Sequence, residues 1–190
     1  MRIILVTVSL ALLVIVSAVP VSNLKDELKD AAEQTFIRIN QEAIRQIFSV
    51  AKTILDNNMI EPPDMEKMQH FVDHWQTRNE SFAQNAKQVF TFEMDFVEIL
   101  SKYLDDSPVA NVWFANVSEM KKFAGDRFAE FQSRATEMIR VAKEAGYTDD
   151  SLDEVYDKFA QNNYILFKKI FFVDLLIYLN VFDRNLYLNN

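Results

Sequence analysis

The chain contains no cysteine, only two glycines and only four prolines among its 190 residues. The absence of cysteine excludes disulfides, catalytic thiols, thiolate zinc sites and iron–sulfur clusters. A sequence this poor in glycine and proline offers few of the turns that a β protein needs, and its apolar residues recur at intervals of three and four. We therefore predict an all-α protein whose core is held together by the burial of apolar side chains alone.

The sequence also lacks the short motifs that carry common catalytic chemistry. It contains no GxSxG nucleophile elbow, no glycine-rich phosphate loop and no HExxH protease pattern. Its many carboxylates stand near predicted helix starts or on polar faces, where capping and solvation account for them. Because no nucleophile stands beside a base, we predict that the protein is not an enzyme, and we predict no cofactor.

Acidic residues outnumber basic residues by 28 to 20, which gives a formal net charge of −8. An acidic protein is repelled by nucleic acid and by anionic membranes, so neither is predicted as a partner. An apolar content of 49%, with sixteen phenylalanines, is too high for a disordered chain. The composition instead predicts a folded domain with a substantial core.

Residues 1–18 have the organisation of a secretory signal peptide. Arg2 precedes an uncharged apolar stretch, and small residues up to Ala18 form a signal-peptidase site. The alternative is an uncleaved membrane anchor, because residues 3–21 carry no charge and are nearly long enough to span a bilayer. Cleavage after Ala18 is favoured by the small residues. It predicts a secreted, extracellular protein with one helical domain, residues 19–190, and no stable membrane span.

Apolar stripes of helical spacing divide the mature chain into four stretches joined by short connections. Short connections between long helices predict neighbours that run antiparallel in an up-and-down bundle. Uninterrupted helices of thirty-odd residues, about 50 Å long, are unusual, so we expect some stretches to break and the total to be five to seven helices. The four stretches span roughly residues 23–55, 64–104, 107–145 and 151–186.

Particular residues predict where these helices begin and end. Ser107, which is followed by a proline, is a predicted N-cap. Ser151 and Glu154 have the spacing of a capping box for the last stretch, and Gly146 is a predicted left-handed C-cap. A break near Asn40 is possible in the first stretch.

The C-terminal segment from residue 162 is rich in Phe, Leu, Ile and Tyr, yet it carries a charge every few residues. Its longest uncharged run, 175–182, is far shorter than the ~20 residues of a membrane span. On a helical wheel the segment is apolar nearly all round with a narrow polar seam, which is typical of a central core helix. A helix that lines a ligand cavity or a dimer interface is the alternative. A membrane-surface helix would show a wide basic face, which this segment lacks.

The aromatic content exceeds what a simple bundle requires. The excess either thickens the core or walls an internal cavity for a fatty acyl chain, a retinoid or a similar ligand. The cavity hypothesis makes the protein a secreted carrier of apolar small molecules. The alternative is a secreted effector or interaction protein that binds a protein target or self-associates without a small ligand. The predicted cavity residues are Phe90, Phe96, Phe128, Phe167, Phe171 and Tyr178, with Lys168 or Lys169 as carboxylate anchors.

The two histidines, His70 and His74, are spaced i, i+4 on a predicted helix. This spacing places both rings on one face, where they could hold Zn²⁺ or Cu²⁺. No third ligand is evident from the sequence, so we predict an ordinary solvated pair and no metal.

Two sequons predict glycosylation sites in an exported chain, one at Asn79 and one at Asn116. Asn79 falls on the apolar stripe between Trp75 and Phe82, where a glycan fits only if the helix breaks. Asn116 is the predicted better acceptor, on the condition that the third helix begins near Ser118 and leaves Asn116 in a loop.

Overall fold

The computed structural model describes residues 23–78, 81–105 and 107–182. These residues form six α-helices and two short 3₁₀ turns, and they contain no strand. The prediction of an all-α helical bundle with five to seven helices is confirmed. The proposed signal peptide and the Asn79 acceptor lie outside the described residues. The helices are α1 (Leu24–Asp56), α2 (Pro62–Gln76), α3 (Ala86–Leu100), α4 (Pro108–Glu144), α5 (Asp150–Ala160) and α6 (Ile165–Tyr178).

Two of the predicted helix boundaries are confirmed. The Ser107 hydroxyl accepts a hydrogen bond from the Ala110 N–H at 3.2 Å and caps α4. Gly146 follows α4 with a φ of +90°, a left-handed conformation that costs glycine little, and the Tyr147 N–H then returns to the Ala142 carbonyl at 3.0 Å. Short-range sequence signals therefore locate both ends of this long helix.

The capping box predicted at Ser151 and Glu154 is wrong. α5 begins earlier, and its N-cap is Asp149, whose carboxylate accepts a hydrogen bond from the Leu152 N–H at 3.0 Å. Ser151 lies inside the helix. Asp149 is selected because its carboxylate also binds side chains from other elements, which local spacing does not reveal.

The first stretch forms a single helix without the break considered near Asn40. The Asn40 side chain is buried, and its amide donates a hydrogen bond to the Ala83 carbonyl at 2.9 Å. This bond satisfies the polar group inside the core and attaches α1 to the 3₁₀ turn Ser81–Gln84. The interruptions fall in the second and fourth predicted stretches instead, where α2 is separated from α3 and α5 from α6.

In the described part of the chain, the buried side chains form two separate hydrophobic cores. The first core contains the C-terminal half of α1, α2, α3 and the start of α4; the second contains the first turns of α1, the second half of α4, α5 and α6. Large members of the first core include Ile44, Ile54, Met68, Phe71, Trp75, Phe82, Phe92, Phe96 and Leu100. Large members of the second core include Leu24, Leu28, Phe128, Phe131, Leu152, Tyr156, Phe159, Phe172, Leu175 and Leu176.

The two long helices, α1 and α4, contribute to both cores. They contain 33 and 37 residues, so they are about 50 and about 56 Å long. The first turns of α1 pack in the second core with the C-terminal half of α4, whereas the C-terminal half of α1 packs in the first core with the start of α4. The antiparallel, up-and-down order of the whole bundle stays a prediction.

The prediction that the terminal helix is central is correct only for its second half. Phe172 and Leu176 of α6 are buried in the second core, whereas Leu166 and Phe167 near its start are 61% and 51% exposed. The first turn of α6 is covered by neighbours on one side only, where Ile165 approaches Gly125 of α4. None of the helices in the described part of the chain is long and apolar enough to cross a membrane.

Candidate functional site

An apolar cleft of about 320 Å³ lies where the two cores meet. Its walls come from α1, α3, α4 and α6, and it includes Ile47 of the first core and Phe128 of the second. The lining side chains are Ile39, Glu42, Ala43, Ile47, Glu93, Val97, Trp113, Met120, Lys121, Ala124, Phe128, Ile165, Leu166 and Lys169.

Small residues in the middle of the two long helices leave room for the cleft. Ala43 of α1 and Ala124 of α4 both line it, and each has a side chain of a single methyl group. Gly125 follows Ala124, and a Cβ added at Gly125 would lie 3.9 Å from Ile165 of α6, an ordinary contact. The small side chains of Ala43 and Ala124 therefore leave space between α1 and α4 at the cleft.

Four ionisable side chains line the otherwise apolar cleft. Lys121 lies on α4 and Lys169 on α6, whereas Glu42 lies on α1 and Glu93 on α3. The basic groups are thus on one pair of helices and the acidic groups on the other. An apolar wall with a few charged groups is the usual composition of a site that binds an amphipathic small molecule.

The charge of Glu42 is already balanced within α1. Its side chain is buried, it forms an ion pair with Arg45, and it accepts a hydrogen bond from the Gln46 amide at 2.8 Å. Burial of a carboxylate is tolerated when such partners are present. Glu42 therefore contributes little net charge to the cleft.

Two of the predicted cavity residues, Phe128 and Lys169, line the cleft. Phe96 is instead fully buried in the first core, where its ring packs at a tilt against the rings of Phe71 and Trp113. Phe171 is half-buried at the edge of the second core. These two rings fill space between helices and do not line the cleft.

The other predicted cavity residues point elsewhere. Phe90 and Phe167 are 59% and 51% exposed, because they lie on the outer faces of α3 and α6. The Tyr178 hydroxyl donates to the Asp149 carboxylate at 2.8 Å. Lys168 donates to the Gln132 side chain at 2.5 Å, and its ammonium lies over a core ring. Partial burial lowers the pKa of Lys168. The structure thus brings only part of the predicted set together.

Several cleft residues were not predicted. Val97, Leu166 and Lys121 line the cleft, as do side chains of α1, which the sequence-based hypothesis did not include. The sequence carries no clear signal for them, because alanines such as Ala32 and Ala135 occur in the same two stripes at buried core positions. Which alanines border the cleft depends on how the helices pack.

His70 and His74 both lie on the exposed face of α2, beside a shallow depression that includes Asp95 and Glu98 of α3. The His74 ring nitrogen lies 3.3 Å from the Arg78 guanidinium, which disfavours a metal ion there. Across the described ranges, no three His, Asp or Glu side chains are grouped so as to hold a metal ion.

Asn116 lies within α4, which begins at Pro108 and not near Ser118. Its side-chain amide donates a hydrogen bond to the Val112 carbonyl one turn earlier, at 2.9 Å. The loop on which the glycosylation prediction depended is therefore absent at this position. Glycosylation of Asn116 stays a prediction that now requires a half-buried helical acceptor.

A carboxylate bound by lysine and tyrosine stands beside the first core. Asp64 accepts hydrogen bonds from the Lys102 ammonium at 3.0 Å, the Tyr103 hydroxyl at 2.8 Å and the Lys67 ammonium at 3.1 Å. These bonds, that from Lys102 above all, lower the pKa of Asp64 to about 2. A carboxylate held ionised in this way attaches the start of α2 to the residues after α3.

A similar carboxylate stands beside the second core. Asp149 forms an ion pair with Lys25 at 2.7 Å and accepts hydrogen bonds from the hydroxyls of Tyr178 and Tyr147. The Lys25 ammonium, helped by the Leu152 N–H, holds the pKa of Asp149 well below its usual range although burial opposes this. Asp149 therefore joins the starts of α1 and α5 to the end of α6.

Comparisons of the chain with protein-family models, with curated proteins and with solved structures find no match, so the interpretation of the cleft depends on its own residues.

Proposed function

We propose that this protein is a secreted carrier that binds an apolar small molecule in the cleft between its two cores. The observation that carries the proposal is the apolar cleft itself, which is lined by Ile39, Met120 and Phe128 among others. Its volume of about 320 Å³ lies within the range of about 300–1,000 Å³ that is usual for small-molecule sites.

An apolar ligand would gain free energy by leaving water for this cleft. Transfer of apolar surface contributes about 25 cal/mol per Å². The part of the wall that α1 and α4 contribute requires little reorganisation, because it lies in the middle of these helices, which are anchored by a core on each side. A preformed site of this kind supports the binding of one slender apolar chain.

The proposal is tested by filling the cleft. The substitution Ala124→Phe places a ring in the space between α4 and the opposite wall, whereas Ala129→Phe places the same ring on the exposed side of the same helix. Binding is measured by the fluorescence of Nile red, a neutral apolar dye, with purified mature protein. We expect Ala124→Phe to reduce dye affinity at least tenfold and Ala129→Phe to leave it unchanged.

Two results would contradict the carrier function. One is absence of dye binding by the unaltered protein together with absence of lipid in an organic extract of the purified protein. The other is an equal loss of affinity in both variants, which would place the dye on the surface. Circular dichroism of both variants establishes that α4 is folded.

Export is the other part of the proposal, and the arrangement of residues 1–18 supports it. The test is expression of the full chain in eukaryotic cells, followed by mass measurement of the protein in the medium. We expect a mature N-terminus at Val19. Retention of the whole chain in the membrane fraction would instead support the uncleaved anchor.

A second candidate function, an interaction protein, is favoured by exposed aromatic side chains on α3, α4 and α6. Phe90 of α3, Phe114 of α4 and Phe167 of α6 are each more than half exposed. Exposed apolar side chains mark an interaction site where they form one continuous patch. If the protein self-associates, light scattering after size-exclusion chromatography will give a dimer mass, and Phe167→Ser will reduce it to that of a monomer.

A further inference from the structure

We propose that the ligand of the cleft is a long-chain monocarboxylate whose carboxylate is held by Lys121 and Lys169. This inference rests on the proposed carrier function and specifies its ligand class. It selects fatty acids and acidic retinoids over neutral alcohols and esters of the same length.

The arrangement of charge along the cleft supports an anionic head group. Lys121 and Lys169 belong to α4 and α6, while the two glutamates belong to α1 and α3. An anion beside the α4 and α6 wall would meet both ammonium groups on one side of the cleft. The acyl chain would then extend along the apolar residues Met120 and Ile39.

The charge balance favours one carboxylate. Among the residues that the structure describes, the lining contains two ammonium groups and two carboxylates, and the carboxylate of Glu42 is paired with Arg45. With Glu93 counted, the cleft retains one uncompensated positive charge. A monocarboxylate supplies the single negative charge that balances it, whereas a neutral ligand leaves it unbalanced.

The two lysines are available for a ligand, unlike other lysines near the cores. Lys25, Lys102 and Lys168 are each bound to a side chain of another element. Within residues 23–78, 81–105 and 107–182, Lys121 and Lys169 form neither an ion pair nor a hydrogen bond through their side chains. They are exposed at the edge of the cleft, where an incoming carboxylate can reach them.

The experiment compares two ligands that differ only in the head group, dodecanoic acid and dodecanol. Trp113 lines the cleft, so its fluorescence reports occupancy, whereas Trp75 lies buried in the first core. The variant Trp113→Phe removes the reporter and identifies the signal. For the unaltered protein we expect the acid to bind about fivefold more tightly than the alcohol, the effect of about two exposed ion pairs.

The double variant Lys121→Gln with Lys169→Gln tests the two anchors. Its control is Lys52→Gln with Lys122→Gln, which makes the same change in net charge at exposed positions outside the cleft lining. We expect the first double variant to bind acid and alcohol equally, and the control to keep the fivefold preference. Added salt should reduce the preference in the unaltered protein, because exposed ion pairs are screened.

The outcomes separate this inference from the carrier function. Equal binding of acid and alcohol by the unaltered protein, with Nile red still bound, overturns the carboxylate assignment and leaves the carrier function in place. Preference for the alcohol, or for a zwitterionic lysophospholipid over the acid, also overturns it. If neither ligand nor Nile red binds, the carrier function and this inference fail together.

Discussion

The two hydrophobic cores are packed alike but are built from different parts of the chain. The first core is drawn from residues 44–109, one continuous segment, whereas the second core joins residues 24–32 to residues 128–179. In both cores aromatic rings meet at centroid distances of about 5–6 Å. Bringing distant segments together costs loop-closure entropy. The second core therefore forms only when the rest of the fold brings these two distant segments together.

One carboxylate bound by lysine and tyrosine lies beside each core. Asp64 joins the start of α2 to Lys102, 38 residues later in the chain, whereas Asp149 joins the start of α5 to Lys25, far earlier in the sequence. Both carboxylates also accept a hydrogen bond from tyrosine. A carboxylate bound by lysine and tyrosine therefore joins nearby parts of the chain beside the first core. Beside the second core, it joins residues close to the two termini of the described chain.

The largest expected effect comes from removing the central ring of the second core. Phe172 is buried and packs against the rings of Phe128, Phe131 and Phe159. We expect Phe172→Ala to lower the free energy of unfolding by about 3–5 kcal/mol, because it leaves a cavity. Unfolding in urea is followed by far-ultraviolet circular dichroism and by tryptophan fluorescence.

Both tryptophans report on the first core, so the two signals test whether the ends unfold together. Since α1 and α4 run through both cores, we expect Phe172→Ala to shift the two midpoints equally. The matched variant Phe92→Ala, in the first core, should do the same. A fluorescence midpoint that stays unchanged in Phe172→Ala would show that the two ends unfold independently.

The next largest loss of stability is expected from replacing Asp149, the carboxylate beside the second core. The substitution Asp149→Ala removes the N-cap of α5, the ion pair with Lys25 and the acceptor for Tyr178. We expect a loss of about 2 kcal/mol, the sum of a lost cap and hydrogen bonds that are partly replaced by water. The variant Asp149→Asn, which keeps the cap, should lose less. An equal loss in both variants would show that the charge alone matters.

Lowering the pH should reduce the stabilising contributions of both Asp64 and Asp149, because the pKa of each carboxyl is lowered in the folded protein. The folded-state pKa of Asp64 is about 2, below its ordinary value of 3.8. Its stabilising contribution is therefore present above about pH 3.8 and is lost as the pH falls towards about 2, because the unfolded chain takes up the proton first. The measurement is urea unfolding across this pH range. Asp64→Asn should flatten the dependence, whereas Asp126→Asn, at an exposed position, should leave it unchanged.

A smaller loss of stability is expected at the turn between α4 and α5. Gly146 has a φ of +90°, which a residue with a Cβ adopts only under strain, although no atom lies within 4 Å of where that Cβ would be. We expect Gly146→Ala to lower the free energy of unfolding by about 1 kcal/mol. The thermal midpoint gives the measurement. An unchanged midpoint would mean that the turn after α4 relaxes without cost.

The smallest effect is expected at the other glycine, and its sign is opposite. Gly125 is inside α4 between the two cores, and an added Cβ would meet Ile165 at 3.9 Å, an ordinary contact. We expect Gly125→Ala to raise the free energy of unfolding by about 0.5–1 kcal/mol, since alanine favours the helix. Together the two glycine variants test whether α4 needs flexibility in its middle or only at its end. A destabilised Gly125→Ala would contradict the open packing seen beside Ile165.

The elements of the fold follow from the sequence where local chemistry decides them. Ser107 with its following proline, and Gly146, define the two ends of α4 because capping and left-handed backbone are local properties. The cap of α5 could not be predicted so well. Asp149, Asp150 and Ser151 are all good caps, and only the distant Lys25 and Tyr178 select the first of them.

The candidate site was only partly predictable for a similar reason. The stripe pattern places Phe128 among the apolar residues, but it does not distinguish a ring that fills a core, such as Phe96, from one that borders a cleft. The exposure of Phe167 also escaped prediction, because α6 is apolar on nearly every side. Which of those sides is covered depends on the positions of α1 and α4.

The absence of cysteine, together with two separate cores, makes the molecule well suited to distance measurement. No native thiol competes with introduced labels, so a pair such as Lys52→Cys and Lys158→Cys would place one dye near each end. Energy transfer between the dyes would then follow any bending of the long helices when the cleft is filled. The same lack of thiols allows production in a reducing host and refolding without an oxidation step.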